Sequence, residues 1–456
     1  MILLALLAIA LSGAGLVAAG FPGRAVDRTD RALRISLGAA FGLGSWSAAY
    51  AAARMVGVSA TVKDLVLAFL GAALLLAARP RLSADPTPRD PAPRWLWSLL
   101  AAACALAVAV FFEHDWRFPD GGWDAWMVWN LRARFLVRAP DLRTAFSPNL
   151  LFWAHPDYPW LVPGAVAQGF VLAGRETMAV PQMIAGTFGV LAAGVVSLAL
   201  ARLHGPRWGL LGALAILTVP AFPIFVSNQQ ADVPLSVYLA CAASLIALAY
   251  ARPDRPLRML LLAGFAAGLG AWTKNEGTLY AACLAAGLLA RTRDLRGTLA
   301  FVAGAVPAGA LVVVFKTAYA PANDLVRFSS GAGLLAHAFD PLRWGELLFQ
   351  ALRRLVFFQT FALWLIAAVL VLSVWVRRLP GTPVGTALFL ATAAYLPIYL
   401  LQPHPLDWIF RTSADRILIE IWPTAVLATM GALANAVARP PGTPPGFSPV
   451  SGPPPA

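Results

Sequence analysis

Long apolar runs alternate with short arginine-bearing segments along the whole chain. Runs near residues 2–20, 35–53, 64–78, 95–112, 179–201, 208–226, 232–250, 257–272, 278–290, 298–316, 354–375, 384–402 and 417–437 approach the length a helix needs to cross a bilayer. The pattern predicts an all-α polytopic membrane protein with about thirteen transmembrane helices. No basic segment precedes the first run and a second follows at once, so it reads as a retained span and not as a cleaved signal. Residues 160–174, WLVPGAVAQGFVLAG, are shorter than a span and contain Pro163 and Gln168. They read as an interfacial or re-entrant helix.

With that choice the arginines fall on one side. Arg24, Arg28, Arg31 and Arg34, the linker RPRLSADPTPRDPAPR (79–94), Arg202/Arg207, Arg252/Arg255/Arg258, Arg291/Arg293/Arg296, Arg377/Arg378 and Arg439 all follow inward-going runs. Basic residues stay cytoplasmic, which puts the N-terminus outside and the C-terminus inside an inner, plasma membrane. The chain then divides into three leading spans (1–78), the Pro- and Arg-rich linker as a boundary, a main membrane module (95–437) with an outer loop at 113–178, and a disordered Pro-rich tail (438–456).

Composition supports lipid as the solvent. Of 456 residues 59% are hydrophobic and 12% charged, and the mean hydropathy is +0.70. That much apolar surface needs a bilayer to cover it. The net charge of +13 would suit a nucleic acid, but the arginines sit in short loops between spans and read as topology signals. Cys104, Cys241 and Cys283 lie inside apolar runs, without the spacing of a disulfide framework or a metal site.

Four polar stretches interrupt this scheme: DGGWDAWMVWNLRARF in the first large loop, SNQQADVP (227–234), TKNEG (273–277) and HPLDWIFRTSADR (404–416). In the layout above all four meet the outer leaflet, which points to a shared polar site. Asp124 precedes a helical stretch and reads either as its N-cap or as a general base for a hydroxyl or amine acceptor. Asp120 lies four residues earlier, across the Gly121-Gly122 pair. Trp126 and Trp129 would face the headgroup layer, leaving Arg132, Arg134 and Arg138 for water or phosphate. His155 in HPDYPW reads equally as a turn residue or a phosphate or acceptor ligand. Asp232 heads a span, as a cap or as a second acid. Lys274, with Glu276 two residues on, reads as an internal pair or as a cation for a phosphate leaving group. Arg411 and Arg416 suit similar work, with Asp407 and Asp415 beside them. Two aspartates could hold a divalent ion, so a metal is possible, though no cofactor is required.

These motifs in this order resemble the GT-C glycosyltransferases that use polyprenyl-phosphate sugars, the superfamily of protein O-mannosyltransferases and the lipid A aminoarabinose transferase. GGWDAWMVWNLRARF resembles the juxtamembrane helix that carries the catalytic base, which implies that role for Asp124. HPDYPWLVPG is similar to the His-Pro segment ending that loop, NQQADVPLSVYL supplies the later acid as Asp232, GFAAGLGAWTKNEGTLY matches a Gly-rich helix closing in Thr273-Lys274, and DRILIEIWP points to Arg416. The family's Asp-Glu pair is replaced here by Asp124-Ala125, and no large soluble domain follows the last span. The resemblance covers 95–437. It implies transfer of a sugar from a polyprenyl-phosphate donor to a glycan, lipid or protein hydroxyl on the non-cytoplasmic face, within membrane lipid and without nucleic acid. Lys274, Arg416 and Arg132 or Arg134 would hold the departing phosphate. The alternatives are a transporter or lipid flippase, which would place charges in mid-span and show internal repeats, and a non-catalytic scaffold. The sequence displays neither a repeat nor a mid-span charge.

Overall fold

The structure, a computed structural model of the full chain, describes residues 1–21, 27–78, 91–150, 154–252, 256–322, 336–357, 382–402 and 404–438. Arg24, Arg255, most of the linker and of the run at 354–375, Arg377, Arg378 and the tail from Arg439 onward lie outside the described residues. Among the described residues the regular elements are all helical. The expected all-α polytopic membrane fold is the fold observed.

The chain begins with α1 (Ile2–Gly20), α2 (Arg28–Val56), α3 (Ala60–Ala77) and α4 (Arg94–Arg117). The long connection after α4 holds α5 (Asn130–Arg138) and leads to α6 (Leu161–Ala173). There follow α7 (Ala179–His204), α8 (Pro206–Leu217), α9 (Ala221–Ser227), α10 (Asp232–Tyr250), α11 (Leu257–Thr273), α12 (Asn275–Thr292), α13 (Leu295–Ala318), α14 (Pro341–Phe357), α15 (Pro383–Leu400) and α16 (Leu406–Val437). Eight helices among the described residues are long and apolar enough to cross a bilayer, or nine when α8 and α9 count as one span broken by 69°. The break falls where Pro220 and Pro223 interrupt the run at 208–226. Proline disfavours helix in the residue before it and lacks a backbone donor.

Burial sorts the helices into a lipid-facing rim and a centre. α4 leaves Trp95, Trp97, Leu99, Leu106, Val108 and Phe112 exposed, which in a bilayer is contact with acyl chains. α10 is the opposite case: nearly every residue from Asp232 to Ala249 is buried, against α7, α11 and α16. The first residue of α10 is therefore delivered into the interior.

The short helix α6, expected as an interfacial or re-entrant segment, is packed among other helices. At about 1.5 Å per residue its 13 residues fall short of a bilayer. It does not lie on a surface, because Leu161 to Gln168 are all buried between α2, α5 and α7. Ser47 donates to the Leu161 carbonyl at 2.6 Å, and the Gln168 amide donates to the carbonyls of Trp46 and Gly164. Lys63, paired with Asp64 at 2.7 Å, bonds the Gln168 side chain, and Trp46 donates to Asp64 at 3.0 Å. The leading helices thus hold the segment that follows the loop after α4.

Close approach between helices relies on glycine. Gly264 on α11 faces the Phe301 carbonyl of α13, and Gly304 of α13 faces the Leu261 carbonyl of α11. A Cβ at either position would collide with backbone, while small residues let helices pack closely where lipid gives no hydrophobic drive. Gly264→Leu should destabilise the fold by about 1–3 kcal/mol or more, in the range of an overpacked interior. Gly309→Ala, on α13 where an added Cβ meets nothing, should leave the detergent melting temperature unchanged or slightly higher. Thermal unfolding of the two purified variants checks both.

Candidate functional site

The loop carrying Asp124 is docked by backbone. Gly121 adopts φ +78, and a side chain there would strike the Asn228 carbonyl. Gly122 donates its N–H to that same carbonyl at 3.1 Å. Two turns on, the Asn130 amide donates to Gln229 at 2.9 Å, and Gln229 in turn donates to the Pro119 carbonyl at 3.0 Å. The first two polar stretches are thereby fastened together. A π-helical turn, Ala125–Trp129, leads into α5.

Asp124 stands at the head of that turn, yet its side chain caps no backbone N–H. The carboxylate instead meets Arg416 Nη1 at 2.6 Å. Arg416 Nε reaches both oxygens of Asp232 at 3.3 Å, and Asp232 accepts from Lys274 Nζ at 2.8 Å. Lys274 occupies the extended residue between α11 and α12, and its ammonium also meets Glu420 at 2.5 Å and Glu276 at 3.2 Å. Asp232 caps no helix by its side chain either. All four polar stretches therefore meet in one chain of contacts. Four carboxylates share two cations within it.

Exposure falls along this chain. The side chains of Asp124, Arg416 and Glu276 are 17%, 21% and 20% exposed, whereas Asp232, Lys274 and Glu420 are 1%, 3% and 0%. The first three side chains are thus accessible, and the buried three lie behind them. Arg416 leaves Nη2 without a hydrogen bond among the described residues, a donor still available to an anion.

Glu420 was not singled out in the sequence as a site residue, and it lies near the start of the run at 417–437. It lies one helical turn after Arg416 in DRILIEIWP, on the same face of α16, and that i, i+4 spacing was the signal. Asp157 and Tyr158 were also passed over in HPDYPW. Asp157 accepts from Asn275 Nδ2 at 2.8 Å and pairs with Lys316 at 3.2 Å. The Tyr158 hydroxyl donates to Glu276 at 3.4 Å, and its ring stacks on Trp129 at 5.6 Å. Burial, reinforced by the Glu276 charge, holds the Tyr158 hydroxyl well above the usual phenol range, so it serves as a neutral donor.

Arg132 differs from the sequence expectation. It is 2% exposed, and its guanidinium donates to the carbonyls of Ala154, His155 and Tyr158 at 2.9, 2.5 and 3.3 Å. Burial lowers it to about 10. It braces the turn that presents Asp157 and Tyr158 and has no face toward a phosphate. His155 adopts φ +42 in that turn, with its ring 5.0 Å from the Tyr158 ring. Arg134 and Arg138 meet Glu176, at 3.5 and 2.6 Å, and Asp120 lies 3.9 Å from Arg134. The bond from Arg138 holds the Glu176 carboxyl below its ordinary range. These three candidates thus form a separate surface group around Glu176, and Arg411 pairs with Asp407 at 2.7 Å on an exposed face. Among the described residues no cluster of three or more His, Cys, Asp and Glu side chains is arranged to hold a metal ion.

Acids and cations drawn from distant helix ends into one interior contact chain, with one end open, define an embedded polar site in a multi-pass membrane protein. Residues 157–317 match the family model described as dolichyl-phosphate-mannose-protein mannosyltransferase. The resemblance drawn from the sequence holds for that stretch, which contains Asp157, Tyr158, Asp232, Lys274, Glu276 and Lys316. No curated protein and no solved structure matches the chain. The match indicates a membrane glycosyltransferase of the mannosyltransferase type, and the family implies in general a polyprenyl-phosphate sugar donor and a protein acceptor.

Removing the central ammonium would leave three carboxylates, two of them buried, facing one another. Lys274→Met should cost about 3–5 kcal/mol, the range for breaking a buried ion pair. Adding Glu420→Leu should recover part of that loss. A double-mutant cycle on thermal unfolding would show the coupling as non-additivity.

Proposed function

We propose that the protein transfers a sugar from a polyprenyl-phosphate donor to a hydroxyl of a glycan, lipid or protein acceptor, at a site open to the non-cytoplasmic face of the inner, plasma membrane. The observation that carries the proposal is the gradient of exposure along Asp124, Arg416, Asp232 and Lys274. Its open end offers one carboxylate and one guanidinium side by side, the two charges a displacement at an anomeric carbon requires.

In this mechanism the acceptor hydroxyl donates to Asp124. As its oxygen bonds to the anomeric carbon, the bond from that carbon to the phosphate oxygen breaks, and the electron pair leaves with the phosphate. Asp124 takes the proton. Arg416 turns its unspent Nη2 donor to the phosphate, where negative charge grows in the transition state. In-line displacement inverts the anomeric configuration. Asp232 fixes Arg416 from behind, and Lys274, held by Asp232, Glu276 and Glu420, fixes Asp232. Lys274 is thus a positioning residue, its ammonium committed to three carboxylates. Glu276, partly open and backed by Tyr158, accepts hydrogen bonds from sugar hydroxyls. The surplus of carboxylates over cations suits a ligand rich in O–H donors.

A transporter or flippase would also employ buried charges such as Glu420. Supplying the purified protein with a panel of polyprenyl-phosphate sugars, dolichyl-phosphate mannose included, separates the readings. The enzyme consumes one donor and forms a glycoside, whereas a flippase leaves every donor intact. With that donor, Asp124→Asn should lower the turnover about a hundredfold or more, and Arg416→Lys should reduce it by removing the bridge between Asp124 and Asp232. Full turnover in Asp124→Asn would remove the base from this scheme.

A further inference from the structure

A recess lies where the turn between α2 and α3 meets the outer loop. It is a groove of about 480 Å³, lined by Arg54, Ser59, Asp141, Arg143 and Tyr319, with the backbone of Gly57 and Val58 at its wall. Gly57 adopts φ +77, ending α2 and turning the chain toward Ser59 at the head of α3. The Ser59 oxygen accepts from the Val62 N–H, which leaves its O–H free to donate.

Most of the arginines near the outer loop and the late helices meet a carboxylate, while Arg132 and Arg343 are spent on backbone carbonyls. Arg117 meets Glu113, Arg134 and Arg138 meet Glu176, Arg354 meets Asp415, Arg411 meets Asp407 and Arg416 meets Asp124. Among the described residues neither Arg54 nor Arg143 pairs with a carboxylate. Arg54 spends one nitrogen on the Ala139 carbonyl at 3.3 Å, and Arg143 lies over the Tyr319 ring at 5.5 Å. Asp141, the acid within the groove, turns an oxygen to the backbone N–H of Arg143 at 2.9 Å. Two guanidinium forks, one carboxylate turned to a backbone N–H, a free hydroxyl and the N-terminus of an 18-residue helix thus surround one concave space that keeps a net positive charge. Such a space focuses positive potential and matches the oxygens of a phosphate.

We propose that this groove binds a phosphate group. Tyr319 lies one turn after Lys316, which holds Asp157, and Asp157 is joined through Asn275 to the chain segment of Lys274. A bound phosphate there anchors an anionic molecule beside the candidate site. Binding at the groove does not depend on the transfer reaction, so it stands or falls separately from the proposed function.

The test uses the full-length protein in nanodiscs of neutral phosphatidylcholine. Inorganic phosphate is titrated calorimetrically, and in a second arm the melting temperature is compared with and without phosphatidylglycerol in the disc. Arg143→Gln removes a fork that makes no hydrogen bond in the free protein, and Arg117→Gln serves as a control on an exposed, paired arginine. A roughly tenfold loss of phosphate affinity in Arg143→Gln but not in Arg117→Gln, with partial recovery in Arg143→Lys, would support the groove as a site for a soluble phosphate-bearing ligand. A melting temperature raised by phosphatidylglycerol in the parent and not in Arg143→Gln would support a lipid headgroup as the occupant. If neither probe distinguishes Arg143→Gln from the control, the groove is no phosphate site.

Discussion

A lysine ammonium held by three carboxylates in the interior is the constraint on which the arrangement depends. Lys274 joins α10 through Asp232, α12 through Glu276 and α16 through Glu420. In a low-dielectric setting such a set of charges tolerates little displacement, because separating any partner leaves an uncompensated ion. The helices that carry these residues are therefore fixed relative to one another. Arg416, on the same face of α16 as Glu420, carries the order outward to Asp124.

The remaining architecture serves that alignment. α10 is buried along nearly its full length, so its first residue is inside as a matter of packing, and the break between α11 and α12 puts an extended residue where a continuous helix would have turned Lys274 elsewhere. From the other side, Arg132 gathers three carbonyls of the turn at 154–158, and α2 and α3 hold α6 just beyond it. The leading helices, outside the matched stretch, thus bear on the placement of Asp157 and Tyr158 through hydrogen bonds to the segment that follows them.

Much of this was legible in the sequence because polar residues between apolar runs are costly and stand out. The helical class, the four polar stretches, and Asp124, Asp232, Lys274, Glu276 and Arg416 came from that contrast. What stayed hidden depends on direction. A chain of letters does not distinguish an arginine facing solvent from one turned to backbone carbonyls, so Arg132 read as a phosphate ligand. Glu420 was masked by the apolar residues around it, although its spacing from Arg416 puts both on one face. Fewer helices among the described residues meet the length and hydropathy of a span than the thirteen runs: the run at 354–375 lies mostly outside them, prolines break 208–226, α11 has 17 residues, and α2 and α12 do not meet the hydropathy of a span.

The central claim is that polar stretches far apart in sequence share one side of the membrane. It is tested most directly by labelling single cysteines with an impermeant maleimide in intact cells, after replacing Cys104, Cys241 and Cys283. Trp126→Cys in the first stretch and Arg411→Cys in the last, both at exposed positions, should label from outside, and Arg291→Cys only after permeabilisation. Labelling of Trp126→Cys and Arg411→Cys from opposite sides would contradict the account.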